Sequence, residues 1–205
     1  SKVLLRRPIS INDVDYQTNE ISLIIQTVGQ GTKELAKISE GEEVSLVYPL
    51  GNGFPIEGKN ILLIGGGVGI APLLYLAKKF QETGVKADVL LGFRSQEQMI
   101  SLDDFEKYSN VYISTQDGSA GEKGLVTEHS IFSKPHDIIY TCGPTPMMKA
   151  ISEHALKNNT ECYASLENKM ACGIGACLCC VQNTTEGHKC TCTEGPVFNV
   201  KDIIW

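Results

Sequence analysis

From residue 61 onward, apolar runs alternate with mixed stretches. Residues 61–64, Ile-Leu-Leu-Ile, are apolar without a break and predict a buried strand. A glycine run follows, and then a helix is expected over 71–84. The stretches ADVLLGF (87–93), VYISTQDG (111–118), DIIYTCGP (137–144) and CYASLE (162–167) read as strands. SLDDFEKYS (101–109) and TPMMKAISEHALKN (145–158) read as helices. Strands alternating with helices predict an α/β fold built on a doubly wound, mostly parallel sheet.

The flanking patterns differ. In EISLIIQTVG (20–29) and EEVSLVYPLG (42–51), β-branched residues cluster and each run ends in glycine, so both predict strands. GTKELAKISEG between them reads as a short helix or turn closed by Gly41. This is small antiparallel β structure, with too few strands to close a barrel or bury two faces. From residue 168 the periodicity fades and Cys, Gly and Thr dominate, so that stretch needs more than an apolar core to fold. Three segments are therefore expected, 1–56, 57–167 and 168–205.

Composition narrows the function. A chain of 205 residues with 42% hydrophobic and 20% charged residues reads as globular and soluble. Lys plus Arg number 18 against 24 Asp plus Glu, a net charge of −6, which lacks the basic footprint of a nucleic-acid binder. No apolar run reaches the ~20 residues of a membrane span. No secretory leader opens the sequence, so a reducing, cytoplasmic setting is expected, where clustered cysteines hold metal or do redox chemistry more often than they form disulfides.

Two turns and one cysteine cluster carry candidate chemistry. In GGGVGIAP, the glycines Gly65, Gly67 and Gly69 lie between a strand and a helix, where backbone N–H groups can face a pyrophosphate. Pro72 suits the first helical turn, and a Cβ at Gly67 is expected to collide with the pyrophosphate or the turn. The plain alternative is a tight turn with no ligand. The acidic residue of the dinucleotide fingerprint is missing after the second strand, where LLGFRS offers Arg94 instead. In YTCGP, Gly143 and Pro144 are expected at the carboxyl edge of the same sheet. Cys142 there would flank a nicotinamide or serve as a small buried strand end. No triad or paired-carboxylate site is evident, and no acid–base catalytic residue is expected.

Six of the eight cysteines fall within residues 170–198. Cys172, Cys177 and Cys180 follow the C-x4-C-x2-C spacing of plant-type [2Fe–2S] ferredoxins, whose fourth ligand lies farther along. Gly173 and Gly175 give the loop the freedom to wrap a cluster and leave N–H groups free to bond its sulfurs. Cys179 breaks the spacing. Cys190 and Cys192 compete for the fourth place, and spacing does not separate them. Tetrahedral zinc is the rival, although CTC makes a poor knuckle. His188 is expected to be a solvated loop residue rather than a ligand.

The segments RRPIS (6–10), GQGTKEL (29–35), LGNGF (50–54), GGGVGIAPL, YTCGP and SLENKMACGIGAC followed by CTEGPVF occur in this order across essentially the whole chain. Together they resemble the electron-transfer subunit of the NAD-dependent, heteromeric (class 1B) dihydroorotate dehydrogenase, which is similar in fold to the ferredoxin–NADP reductases. The resemblance implies an N-terminal antiparallel FAD-binding β-barrel, an NAD-binding α/β domain and a C-terminal [2Fe–2S] segment. It implies that Arg7, Pro8, Ile9 and Ser10 form the flavin strand, with Arg7 on the FAD pyrophosphate and Ser10 near the isoalloxazine. Arg7 would otherwise be read as one half of a surface ion pair. Ile24, Ile25 and Gln26 resemble the next flavin strand, and Gly31 and Thr32 the turn that donates to the FAD phosphate. The family's last cluster ligand precedes Gly-Pro by two residues, which points to Cys192. The implied partner is an FMN-containing catalytic subunit, two of each forming a heterotetramer that passes electrons to NAD in de novo pyrimidine (UMP) biosynthesis. A stand-alone NAD(P)H:acceptor reductase would share every motif. The family sets several barrel strands before its Arg-Pro-Leu/Ile-Ser motif, whereas only six residues precede Arg7 here, so either the sequence is truncated ahead of this motif or the barrel is incomplete.

Overall fold

The apolar run at 61–64 becomes the middle of a seven-stranded sheet in the computed structural model, which describes residues 3–205. Ser1 and Lys2, which open the expected first segment, lie outside the described residues. In chain order the elements are β1 (Ile11–Asp15), β2 (Glu20–Leu23), α1 (Gln30–Leu35), β3 (Ile61–Gly66), α2 (Ala71–Glu82), β4 (Ala87–Phe93), α3 (Leu102–Glu106), β5 (Ser109–Thr115), β6 (Glu122–Lys123), β7 (Ile138–Cys142), α4 (Thr145–Lys157), β8 (Glu161–Ser165), β9 (Val181–Thr184), β10 (Gly187–Cys190) and β11 (Val197–Asn199).

The large sheet runs β11-β8-β7-β3-β4-β5-β6. Every pairing in it is parallel except β11 on β8. Successive side chains of β3 serve opposite faces. Leu62 and Ile64 join the core with α4, and Ile61 and Leu63 join the core with α2. All four are at most 2% exposed, which is why the run shows no polar interruption. Burying each such side chain is worth about 1.5–3 kcal/mol, so β3 is the keel of the fold. Tyr140 at the sheet centre is flanked by Phe54, Phe80 and Tyr163. Phe54 thereby ties the end of the first segment to this core.

The first segment is thinner than expected. Its regular β structure is the two-stranded sheet β1-β2, with Ile11 opposite Leu23 and Asp15 opposite Glu20. The strand expected over 42–51 does not form. A strand needs a ladder on at least one side, and what residue 45 receives is side-chain bonds from Arg6 to its carbonyl (2.6 Å) and hydroxyl (3.0 Å). Val44, Leu46, Val47, Tyr48 and Leu50 are consequently exposed. Residues 24–26 likewise continue past β2 without a ladder. The small sheet rests on α2, where Lys78 Nζ bonds Asp13 at 2.9 Å and the Val14 carbonyl at 3.0 Å, and the Tyr16 and Tyr75 hydroxyls meet at 2.7 Å.

The cysteine-rich end is more integrated than its composition suggested. β11 adds an antiparallel edge to the main sheet, and Phe198, Val200 and Ile203 are buried in the core that holds α4. Between β8 and β11 the chain makes an excursion that includes the hairpin β9-β10. Among the described residues no helix is long and apolar enough to cross a membrane.

Candidate functional site

Strands β3 and β7 are neighbours, and their connections leave toward opposite faces, α2 to one core and α4 to the other. That arrangement makes the carboxyl end of these two strands a topological switch point, the place where open α/β sheets bind ligands. The glycine run and YTCGP both lie there. β3 ends at Gly66, and a 3-10 turn over Gly67–Ile70 leads into α2, with Pro72 in its first turn.

The glycines do different jobs. A Cβ on Gly69 would stand 2.5 Å from both the Cys142 carbonyl oxygen and Gly143 Cα, so the two turns touch backbone to backbone. A Cβ on Gly65 would meet Ile70 Cγ2 at 2.9 Å. At Gly66, which sequence reasoning passed over, a Cβ would stand 2.6 Å from Met147 Sδ and 3.0 Å from Pro144 Cδ. Gly67 faces nothing within 4 Å and has φ +55°. The expected collision of a Gly67 Cβ with the turn is therefore absent, and what remains is the left-handed backbone and an open surface in front of it. Nothing in the sequence separates these four glycines, because what Gly66 and Gly69 face is set by the distant β7–α4 connection, whereas Gly65 faces its own turn and α2. Cys142 ends β7, and burial pushes its thiol up to about 12, so it stays protonated. Arg94 follows β4 at the same sheet edge and is exposed.

On the other side of α2, Ser10 precedes β1 and Ile24 follows β2, just beyond the Ile11 and Leu23 pair. Residues 7–10 and 24–26 therefore leave the same end of the small sheet side by side. The Arg7 guanidinium lies over Gly31, where a Cβ would stand 2.3 Å from Nε. Arg7 donates to the Leu5 carbonyl at 2.6 Å, and among the described residues no carboxylate pairs with it. The ion-pair alternative for Arg7 is thus not what forms. Thr32 caps its own helix: its hydroxyl accepts the Val28 and Gly29 N–H groups and donates to the Gly29 carbonyl.

The cysteine loop brings its thiols together by two routes. Left-handed backbone at Gly173 (φ +74°), Gly175 (φ +77°) and Leu178 (φ +56°) curls the chain so that N–H groups point at sulfur. Cys172 Sγ accepts from Ile174 N at 3.5 Å and Cys177 N at 3.4 Å, and Cys192 Sγ accepts from Gly175 N at 3.2 Å. The N–H groups of Ile174 and Cys177 lower the Cys172 thiol to about 6, a thiolate at neutral pH. The second route is the hairpin. Cys190 pairs with Val181, and Thr191 holds the Cys180 carbonyl by its N–H (3.0 Å) and hydroxyl (2.7 Å). Cys180, Cys190 and Cys192 are buried together beside Met170 and Val181, while Cys177 and Cys179 are exposed.

These donors fit a [2Fe–2S] cluster. Cys172 neighbours Cys177, Cys180 neighbours Cys192, and free backbone N–H groups bond the sulfurs. Cys190 also neighbours Cys180, so proximity leaves it in competition. Among the described residues no three His, Cys, Asp or Glu side chains converge on one ion position, as a mononuclear zinc site requires. His188 is exposed on β10.

Two family models match parts of the chain. Residues 167–204 match the model of the iron-sulfur cluster binding domain of dihydroorotate dehydrogenase B, and residues 63–153 match an oxidoreductase NAD-binding domain. The chain is 44% identical over 212 residues to the dihydroorotate dehydrogenase B (NAD(+)) electron transfer subunit of Caldanaerobacter subterraneus subsp. tengcongensis, covering 100% of this chain and 83% of that one. It is 42% identical over 211 residues to the subunit of the same name from Shouchella clausii, covering 98% and 81%. A solved NADH-dependent reduced ferredoxin-NADP oxidoreductase, described in a study of flavin-based electron bifurcation, superposes with a TM-score of 0.88 at 34% identity over 97% of this chain and 74% of the other.

Proposed function

We propose, from the premise that this chain belongs to the family of electron transfer subunits of NAD(+)-dependent dihydroorotate dehydrogenase B, that it carries electrons from the FMN of a catalytic dihydroorotate dehydrogenase subunit to NAD⁺. It is an oxidoreductase subunit with a reductase-like fold, and its cofactors are FAD and a [2Fe–2S] cluster, with NAD as substrate. When bound, the cluster exchanges single electrons and the flavin one or two, so the flavin converts single electrons into the hydride that NAD⁺ accepts.

The chain's own residues divide that work. Cys172, Cys177, Cys180 and Cys192 would hold the cluster, with the N–H groups of Ile174, Gly175 and Cys177 stabilising thiolate charge. Gly65, Gly67 and Gly69, with Cys142, Gly143 and Pro144, would form the nucleotide cleft, and Gly67 is its open floor. Arg7, Pro8, Ile9, Ser10, Ile24, Ile25, Gln26, Gly31 and Thr32 would hold the flavin. The segments 1–56, 57–167 and 168–205 serve flavin, NAD and cluster in turn. The setting is cytoplasmic, the assembly is a heterotetramer of two of each subunit, and the pathway is de novo pyrimidine (UMP) synthesis. The observation that carries the reading is the aim of loop N–H groups at the sulfurs of Cys172 and Cys192.

The test is a division of labour. Loaded with FAD and cluster, the subunit alone is expected to oxidise NADH with an artificial acceptor and to leave dihydroorotate untouched, since proton abstraction needs a positioned base. Adding the FMN subunit is expected to couple dihydroorotate to NAD⁺. Dihydroorotate oxidation by the isolated chain, or full coupling without iron and acid-labile sulfide, would sink the proposal.

A further inference from the structure

We infer that residues 50–52 form a strap that fixes the cluster-bearing turn to the flavin-side segment, and that Asn52 is a positioning residue for electron passage between cluster and flavin. This rests on the function proposed above. The turn after Cys192 is gripped carbonyl by carbonyl. Asn52 Nδ2 donates to the Thr193 carbonyl and to the Glu194 carbonyl, each at 3.2 Å, and Asn52 N donates to the Gly195 carbonyl at 2.6 Å. Gly51, at φ +65°, lies so close that a Cβ would stand 2.1 Å from the Gly195 oxygen. Leu50 Cδ1 comes within 3.2 Å of where a Gly173 Cβ would be, so the strap also touches the loop beside Cys172.

The far side of the same turn is anchored to the main sheet, where Leu166 N donates to the Pro196 carbonyl at 2.8 Å. The 193–196 turn is thus clamped between the sheet edge and the strap. A few residues before the strap, Ser45 receives both bonds from Arg6, the neighbour of Arg7. The chain therefore offers a short mechanical path from the flavin strand to Cys192. Electron passage weakens steeply with separation, and misplacement by about an ångström is enough to cost a reaction step heavily. The strap does no chemistry. Its carbonyl grip sets where the chemistry stands.

Asn52→Asp is the decisive variant. It keeps the size and the backbone N–H but turns two donors into an acceptor facing two carbonyls. Mixed rapidly with NADH, the loaded protein receives two electrons on the flavin as a hydride, and one then passes on to reduce one ferric ion of the cluster. That passage is expected to slow at least tenfold. NADH–ferricyanide turnover should stay within twofold, and iron, sulfide and flavin contents should be unchanged. Amide exchange over residues 50–54 and 190–196 should rise at least tenfold, both in the loaded protein and in the iron-free chain. Asn52→Ala removes the two side-chain bonds without adding repulsion and should slow the passage about threefold by the same reasoning, which keeps the test decisive if the Asp variant sheds its cluster. Unchanged exchange at 193–196, or faster exchange with an unchanged passage rate, would overturn the strap. A wild-type chain that takes up no cluster would instead overturn the proposed function, and exchange in the iron-free chain would still decide the strap.

Discussion

The turn after β3 and the cysteine loop are both glycine-rich stretches of backbone proposed to hold a ligand, yet different forces hold them. The turn stands on β3 and β7, whose side chains are almost wholly buried, and its Gly69 is pressed against the backbone of Cys142 and Gly143. Its shape belongs to the core and is present before any ligand arrives. The cysteine loop has Ile174 and Leu178 in solvent, two exposed thiols, and three left-handed residues, Gly173, Gly175 and Leu178. Its order comes from N–H groups bonded to sulfur and from its two ends. A site built on the core tolerates the loss of its ligand but not of a contact. A site built on a loop is expected to do the reverse.

The comparison would break first at the cysteines. Cys192→Ser is expected to drop iron from about two per chain to almost none. Cys190→Ser and Cys179→Ser should retain the cluster spectrum. Iron lost with Cys190 and kept without Cys192 would reverse the assignment. In each cluster-free variant the far-UV circular dichroism should change little, because the sheet does not depend on metal.

Gly69→Ala probes the other site. Its Cβ would strike backbone atoms of Cys142 and Gly143, which cannot rotate aside. A loss of about 2–3 kcal/mol of stability is expected in urea unfolding. A variant as stable as the parent would show that the two turns are not pressed together.

Acid should act chiefly on the sheet domain. Burial lowers His129, His136 and His154 below the ordinary histidine value of 6.5. Above 6.5 neither the folded nor the unfolded chain binds these protons. As pH falls below it, the unfolded chain takes them up first, so stability declines from about pH 6.5 downward, in the direction set by linkage. The thermal midpoint measured between pH 7.5 and 5.5 checks the sign. Substituting His129 by Gln should flatten part of that slope.

The smallest effect expected is at Gly67. An alanine there meets no atom, so only its left-handed backbone costs stability, about 1 kcal/mol. NADH affinity should nonetheless fall clearly, while the flavin and cluster spectra persist. Unchanged affinity would reduce the glycine run to a plain structural turn.

What could be read from the chain follows the same contrast. β3, β4, β7, α2 and α4 were legible because local apolar pattern and the buried face coincide. The C-x4-C-x2-C spacing was legible because it lies within nine consecutive residues, and the domain it pointed to is the one matched over residues 167–204. Residues 42–51 looked like a strand and are not one, since β-branched composition records a preference whereas pairing needs a partner. The edge strand β11 was missed for the complementary reason: Val197 opposes Ser165 from 32 positions away, a relation no short window contains. The hairpin β9-β10 is local, but its strands, VQNT and GHKC, carry too little apolar alternation to mark them. The differing duties of Gly67 and Gly69 were hidden because glycine carries no mark of what stands beside it.

The sheet edge has one more consequence, for how the metal centre is assembled. The cysteine loop leaves β8 and returns through β11, and the Leu166 to Pro196 bond closes its neck. The cost of bringing the loop ends together is met by strand pairing rather than by the metal. All six thiols of the loop are thereby confined to a small volume before iron is delivered. Their effective concentration toward one another is that of a tethered chelator rather than of free chain. Once the first ion is held, the remaining ligands are recruited intramolecularly, so cluster formation should follow first order in protein.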